Sequence, residues 1–389
     1  MRIGIITFWE STDNYGQVLQ AYALQNVLKA MGHEPFQIRY SLKASQQTEQ
    51  KSSLLKKVLK VLLIYPLIKS IKRHYALRED VECKTMIERK NVARKFQEFR
   101  DTYIKQDQVI YNSIEEIRSN PPVADCYITG SDQVWTMLLS IESNAAYYLD
   151  FGCYEIKRIS YAASFGRSVY PQYLHSCLRR LLNRFDAISV REQEGVDICE
   201  SLGIKAQLVL DPTLLLSKKD YFRNFNICTA TKDNTLYVYS INVRTPKEIY
   251  WKEVRNYAEK KGLKITVTTS SGNIPGREIY ENVQYSYATV EDWILQISKA
   301  HLVVTTSFHG VVFCMLMHTN FIYIPLNNSR AKGNGRVESL ANIVNLSSKI
   351  CYNIEEFAMR AEIEIDWNAV DNAINKHRIA SKKFLTNNL

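Results

Sequence analysis

A chain of 389 residues, 46% hydrophobic and 23% charged, can bury a core without disulfide or metal staples, and its composition excludes wholesale disorder and a fibrous array. The net charge of +10 is local: residues 51–105 hold 15 Lys/Arg against 6 Asp/Glu, which leaves the remainder nearly neutral. No nucleic-acid motif accompanies that stretch, so nucleic acid is not expected as a partner.

The chain opens on Met1-Arg2-Ile3-Gly4-Ile5-Ile6-Thr7-Phe8-Trp9, a strand-like run without the cationic flank and cleavage site of a signal peptide. A helix is predicted next, because Val18, Ala21, Tyr22, Gln25, Leu28 and Met31 recur three or four apart and Gly32 stops the pattern. With a strand over Pro35–Tyr40 this makes a βαβ unit, the signature of a parallel, doubly wound sheet. The insert at about 44–105 segregates lysines from leucines at helical spacing. It suits a membrane-surface helix over residues 51–75 or a helix covering the core. Its longest apolar run, Val61 to Ile68, is far short of the ~20 residues of a membrane span.

Alternation resumes with strands over Ala124–Gly130, Arg158–Ala163, Ala187–Val190 and Ala206–Leu210, and helices over Tyr170–Phe185 and Gln193–Leu202. These complete a first domain over residues 1–211. Asp211-Pro212-Thr213 reads as a hinge, because proline cannot extend a central strand. A second alternating set fills 212–350, with strands over Leu236–Ile241, Ile265–Thr269, Leu302–Thr306 and Phe321–Pro325. Its helices are predicted over Lys247–Lys261, Val290–Lys299 and Gly310–His318. A tail over 351–389 carries a last helix from Asp366 to about Leu385. The expected class is therefore α/β, with two Rossmann-like doubly wound domains.

In such sheets ligands bind beyond the carboxyl ends of the strands, which selects the loops where chemistry is expected. Ser307-Phe308-His309-Gly310 follows one strand; Gly310 would let backbone approach a ligand, and a helix starting there would aim N–H groups at an anion. His309 suits anion binding or proton transfer near neutral pH. At Thr129-Gly130-Ser131-Asp132-Gln133, Asp132 can accept a proton from a sugar hydroxyl while Ser131 and Gln133 offer hydrogen bonds; the same residues also suit an Asx turn. Arg191, directly after a strand, presents a fork that fits carboxylate or phosphate, and Arg336 sits in a glycine-rich loop. Asn14, Tyr15 and Gly16 occupy the position of a phosphate turn but lack the dinucleotide spacing. Ser164 lies in a third strand-end loop of small residues. The seven histidines show no zinc spacing, and no D-x-D presents itself, so neither metal nor cofactor is expected. The eight cysteines are scattered with no C-x-x-C pair, as in proteins of a reducing compartment.

Taken together, Asn14-Tyr15-Gly16 with Leu19-Gln20-Ala21-Tyr22, Gly130-Ser131-Asp132-Gln133-Val134-Trp135, Ser160-Tyr161-Ala162-Ala163-Ser164-Phe165-Gly166, Ser189-Val190-Arg191-Glu192, Leu210-Asp211-Pro212-Thr213 and Thr306-Ser307-Phe308-His309-Gly310 resemble the polysaccharide pyruvyl transferase family. The resemblance implies a GT-B-like arrangement with the active site between two domains, phosphoenolpyruvate as donor, and a pair of sugar hydroxyls as acceptor, giving a pyruvate ketal. It associates Arg191, His309 and Phe308 with the donor. His309, Asp132 and Arg191 are then the expected catalytic residues. Asn14, Tyr15, Gly16, Ser131, Gln133, Ser164, Ser307, Phe308, Gly310 and Arg336 are expected around the substrates. The setting is expected to be cytoplasmic, the basic insert pointing to a lipid-linked glycan acceptor at the inner membrane face. The alternative is a nucleotide-sugar glycosyltransferase on the same fold.

Overall fold

A computed structural model of the chain describes residues 1–41, 85–136, 144–228, 231–270, 278–327, 331 and 333–389. The membrane-surface helix expected over 51–75 lies outside them. Among the described residues no helix is long and apolar enough to cross a membrane.

The first domain is a five-stranded parallel sheet of β1 (Arg2–Ile6), β2 (Glu34–Tyr40), β3 (Gln106–Tyr111), β4 (Cys126–Thr129) and β5 (Lys157–Ser160), in the order β3-β2-β1-β4-β5. Ile3, Ile5 and Ile6 are buried on both faces of the central strand, as parallel sheets covered by helices require. A two-stranded ladder, β6 (Ser189–Val190) with β7 (Gln207–Leu208), continues the sheet through bridges from Ile159 to Ala187 and from Ala163 to Val190. The second domain repeats the plan. Strands β8 (Thr235–Ser240), β9 (Lys264–Thr269), β10 (Gln284–Tyr285), β11 (Leu302–Thr305) and β12 (Phe321–Tyr323) lie in the order β10-β9-β8-β11-β12, all parallel. Two doubly wound domains in a GT-B-like arrangement are therefore present, as the sequence predicts. In each, strand order reverses beside the domain's first strand, at the β1–β4 and β8–β11 junctions where ligand crevices form.

The domains meet on two sides. Tyr15, the first residue of helix α1 (Tyr15–Ala30), stacks on Trp293 of the second domain at 5.0 Å and 6° and meets Tyr239 edge-on at 5.7 Å. Its hydroxyl donates to the Ala288 carbonyl at 2.7 Å, and Ser270 Oγ donates to the Asp13 carbonyl at 2.5 Å. Arg94 Nη2, from residues 85–94 at the exit of the basic insert, donates to the Thr269 carbonyl at 2.6 Å. On the other side the long helix Trp367–Asn388 leaves the second domain, where Trp367 stacks on His318, and returns to the first. There Ser381 Oγ accepts from the Leu210 N–H at 2.9 Å and Arg378 Nε donates to the Leu214 carbonyl at 2.7 Å. The segment after Asp211 also stays with the first domain: Tyr221 and Phe225 pack on Tyr22. Asp211 is thus a fixed, buried residue rather than a free hinge.

Tyr15 expected at the substrate is wholly buried in this seam, its hydroxyl already bonded, so it joins domains rather than facing a ligand. Tyr15→Ala removes the stacked ring and should lower unfolding free energy by about 3–5 kcal/mol. Tyr15→Phe keeps the stacked ring and withdraws only the hydroxyl's bonds to the Ala288 carbonyl and Arg94, and should cost about 1–2 kcal/mol. Denaturant titration of the two variants checks the order, and equal losses would contradict it.

Candidate active site at the domain seam

The strand-end loops of the first domain converge on one buried carboxylate. After β4 the chain turns at Asp132, which adopts φ of 90°, a left-handed conformation that Asp tolerates when its side chain bonds locally. Here Asp132 Oδ1 accepts from the Gln133 N–H at 2.8 Å. The turn presents Ser131, whose Oγ donates to Asp211 Oδ2 at 2.8 Å. Arg191 follows β6 and is wholly buried; its Nη1 donates to Asp211 Oδ2 at 2.9 Å and to Ser131 Oγ at 3.2 Å. Its Nη2 lies 3.6 Å from Asp132 Oδ1, and its Nε 3.6 Å from Glu192 Oε2. Thr213 completes the cradle, donating to Asp211 Oδ1 from its N–H at 3.0 Å and from Oγ1 at 2.6 Å.

The second domain supplies the fourth side. The helix Phe308–Met317 brings His309 Nε2 to 3.5 Å from Asp211 Oδ2. Arg191 lies 4.8 Å from the Phe308 ring centroid and Arg336 lies 5.9 Å from it, within cation–π range. Gly16 is required here: a Cβ on it would lie 2.0 Å from His309 Nδ1, so the first turn of α1 rests directly on the imidazole.

The charges settle one another. Burial alone would push the Asp211 carboxyl up, but His309, Arg191 and Thr213 hold it well below the usual carboxylate range. Burial pulls the Arg191 guanidinium down and is outweighed by Asp211, Glu192 and Asp132, which raise it. Glu192 goes the other way: burial pushes its carboxyl up by more than Arg191 and the Ser164 hydroxyl pull it down. Arg336, half-buried, is lowered by desolvation and by Arg191.

Of the residues expected at the site, the structure brings together Arg191, His309, Asp132, Ser131, Phe308 and Arg336, with Gly16 beneath the imidazole. Others are engaged elsewhere. Asn14 caps α1 by accepting from the Gln17 N–H, and the Gln133 side chain sits against Gly166. Ser164 Oγ donates to Glu192 Oε1 at 2.6 Å. The helix predicted to start at Gly310 starts at Phe308, because Ser307 is its cap: Ser307 Oγ accepts from the Gly310 N–H at 3.2 Å, which withdraws that N–H from any anion. The close approach at Gly310 is to Thr305, with a hypothetical Cβ 2.4 Å from its Oγ1, not to a ligand.

Two residues central to the cluster, Asp211 and Glu192, are not among those expected at the site. Asp211 was masked by the proline after it; the signal was a carboxylate closing the apolar run Leu208-Val209-Leu210, with Thr213 two residues on. Glu192 stood beside Arg191 unassigned. They also alter the electrostatics, since the purely cationic pocket implied by Arg191 and the His309 corner is a charge-compensated cluster in which Asp132, Glu192 and Asp211 all face Arg191. Two surface cavities, of about 1350 and 650 Å³, flank the helix Trp251–Lys261 on the second domain, and none of the expected site residues lines either. Among the described residues no group of three His, Cys, Asp or Glu side chains is placed to hold a metal ion.

A family model for polysaccharide pyruvyl transferase matches residues 14–328. No curated protein matches the sequence. Among solved structures, the chain is similar to a UDP-N-acetylglucosamine 2-epimerase from Rickettsia bellii, at 10% identity over 99% of this chain and 95% of that one, with a TM-score of 0.49. It is similar also to S. aureus MnaA solved with UDP, at 13% identity over 99% and 94%, TM-score 0.48. A third is Arabidopsis thaliana UGT89C1 with UDP-L-rhamnose, at 12% identity over 99% and 98%, TM-score 0.47. Likenesses this distant say nothing about substrate.

Asp211→Asn leaves Arg191 without its closest counter-ion and should cost about 3 kcal/mol at neutral pH. Because the folded-state value of Asp211 is depressed, its contribution is complete above the ordinary value of about 3.9 and is lost as pH falls toward the lower folded-state value. The stability gap between wild type and variant, measured by denaturant titration, should hold from pH 8 to 6 and shrink below about pH 4. A gap independent of pH would count against the ion pair.

Proposed function

Because the chain belongs to the polysaccharide pyruvyl transferase family, we propose that it moves a pyruvyl group from phosphoenolpyruvate to two hydroxyls of one sugar in a surface-glycan or exopolysaccharide precursor, forming a pyruvate ketal and releasing phosphate. The observation that carries this reading is the meeting, across the seam, of Arg191 from one domain and His309 from the other around Asp211. Support comes from unused donors: Arg191 Nε and Nη2 are buried without hydrogen-bond partners, and His309 Nε2 makes only the long 3.5 Å contact to Asp211. A carboxylate or phosphate would satisfy such atoms, and leaving them unmet in a buried site is costly. Arg336 adds a second guanidinium, and the first turn of the helix Phe308–Met317 favours negative charge.

In this reading Arg191 and Arg336 bind the donor's anionic groups, and His309 assists the departing phosphate. Asp132, whose Oδ2 has no partner, takes the proton of the attacking sugar hydroxyl. Proton addition to the donor's methylene carbon makes the neighbouring carbon electrophilic. One hydroxyl adds there, phosphate leaves, and the second hydroxyl closes the ring. Phosphoenolpyruvate is a cytoplasmic metabolite, so the reaction would take place in the cytoplasm, on a free or lipid-linked acceptor.

Nucleotide-sugar glycosyl transfer is the rival chemistry for two facing doubly wound domains. Phosphoenolpyruvate should raise the melting temperature by mass action, and its phosphate should be released with diol-bearing glycosides. Arg191→Ala or His309→Ala should cut release about 100-fold or more. A nucleotide sugar that stabilises the protein while phosphoenolpyruvate does not would contradict the donor assignment.

A further inference from the structure

The chemistry above needs an acid beside the donor's methylene carbon, and one buried carboxyl in the cluster keeps an oxygen without a hydrogen bond. Glu192 stands at the N-cap position of the helix Gln193–Ser201 yet makes no capping bond with its side chain. It turns into the seam instead, where Oε1 accepts from Ser164 Oγ at 2.6 Å. Oε2 is buried with no hydrogen-bond partner, 3.6 Å from an Arg191 Nε that is equally unpartnered. A carboxylate placed as the counter-ion of an arginine normally takes two short parallel bonds. Arg191 makes its short contacts to Asp211 and Ser131, and leaves Glu192 to one side with an oxygen free.

We propose that Glu192 is the general acid that protonates the methylene carbon of the enolpyruvyl donor, an assignment that rests on the donor reading above. The groups facing it are Arg191 beside it in the chain, Ser164 from the loop after β5, Arg336 at the start of the helix Gly335–Val344, and Glu194 two residues on, in the first turn of the helix that follows. Burial already favours the protonated form of Glu192 against the pull of Arg191 and Ser164. An arriving donor with a carboxylate and a phosphate competes for the same two guanidiniums and adds negative charge, and each effect favours proton uptake by the carboxyl. Loading the donor therefore arms the acid.

The step balances within the site. The Oε2–H bond of Glu192 breaks and the π electrons of the donor's C2=C3 bond form the new C3–H bond. The first sugar oxygen adds to C2 as its proton passes to Asp132. The C2–O bond to phosphate then breaks, the leaving group keeping the electron pair, and the second sugar oxygen adds while its proton goes to phosphate. Glu192 ends ionised and Asp132 protonated, and exchange with water restores both.

Calorimetric titration of phosphoenolpyruvate at pH 8, in buffers of different ionisation enthalpy, reads the linked proton directly. At that pH a phosphomonoester, whose second pKa is about 6, carries both charges. Wild type should take up protons on binding the donor, and Glu192→Gln, which keeps the shape and the Ser164 bond, should bind the donor with that uptake lost. In turnover Glu192→Gln should lose about 100-fold or more in kcat with KM for the donor changed only a few-fold. Ser164→Ala, which withdraws a hydrogen bond from the ionised form, should move the alkaline limb of kcat upward by about one pH unit. Donor binding without uptake, or uptake that persists in Glu192→Gln and disappears in His309→Ala, overturns the assignment alone. Failure of wild type to bind phosphoenolpyruvate overturns the donor reading with it.

Discussion

The buried pair between Arg191 and Asp211 is the constraint on which the seam is built. A guanidinium and a carboxylate, both with wholly buried side chains, are tolerated only when geometry and further hydrogen bonds offset their loss of water. Ser131 and Thr213 provide those bonds from the first domain, and His309 Nε2 approaches Asp211 to 3.5 Å from the second. Each participant sits at the end of an apolar strand or the head of a helix, so its position is fixed by the packing of two sheets. The Tyr15–Trp293 stack and the returning helix Trp367–Asn388 hold the domains in the one relation that lets His309 reach Asp211.

Much of this is written locally. The helix Val290–Lys299 was legible to the residue because Thr289 caps it, accepting from the Asp292 N–H, and Glu291 and Asp292 occupy its first turn. The central strands read as continuous apolar runs, and their alternation with helices gave the doubly wound plan. Strands β3 and β10 were not legible: one is an edge strand whose Val109 and Ile110 are exposed, so no alternation marks it, and the other is only two residues long. The helix Phe308–Met317 begins two residues before the expected Gly310, because Ser307 is the stronger N-cap.

The site was legible in part, for a physical reason. Arg191, Asp132 and His309 stand at strand ends, where topology alone predicts ligands. Asp211 and Tyr15 take their meaning from partners 20 and 278 positions away, which no local pattern carries. The charge balance was hidden for the same reason, since each carboxylate is unremarkable until the fold gathers three of them about one guanidinium. In the proposed reading, that gathering couples the protonation of the cluster to the anion it would bind.

A crystal structure of the protein with phosphoenolpyruvate tests this account most directly. It predicts the donor's anionic oxygens on Arg191 Nε or Nη2 and on Arg336, with the methylene carbon toward Glu192 and His309 beside the phosphate. An anion bound elsewhere, with the cluster around Asp211 unchanged and unoccupied, would contradict it.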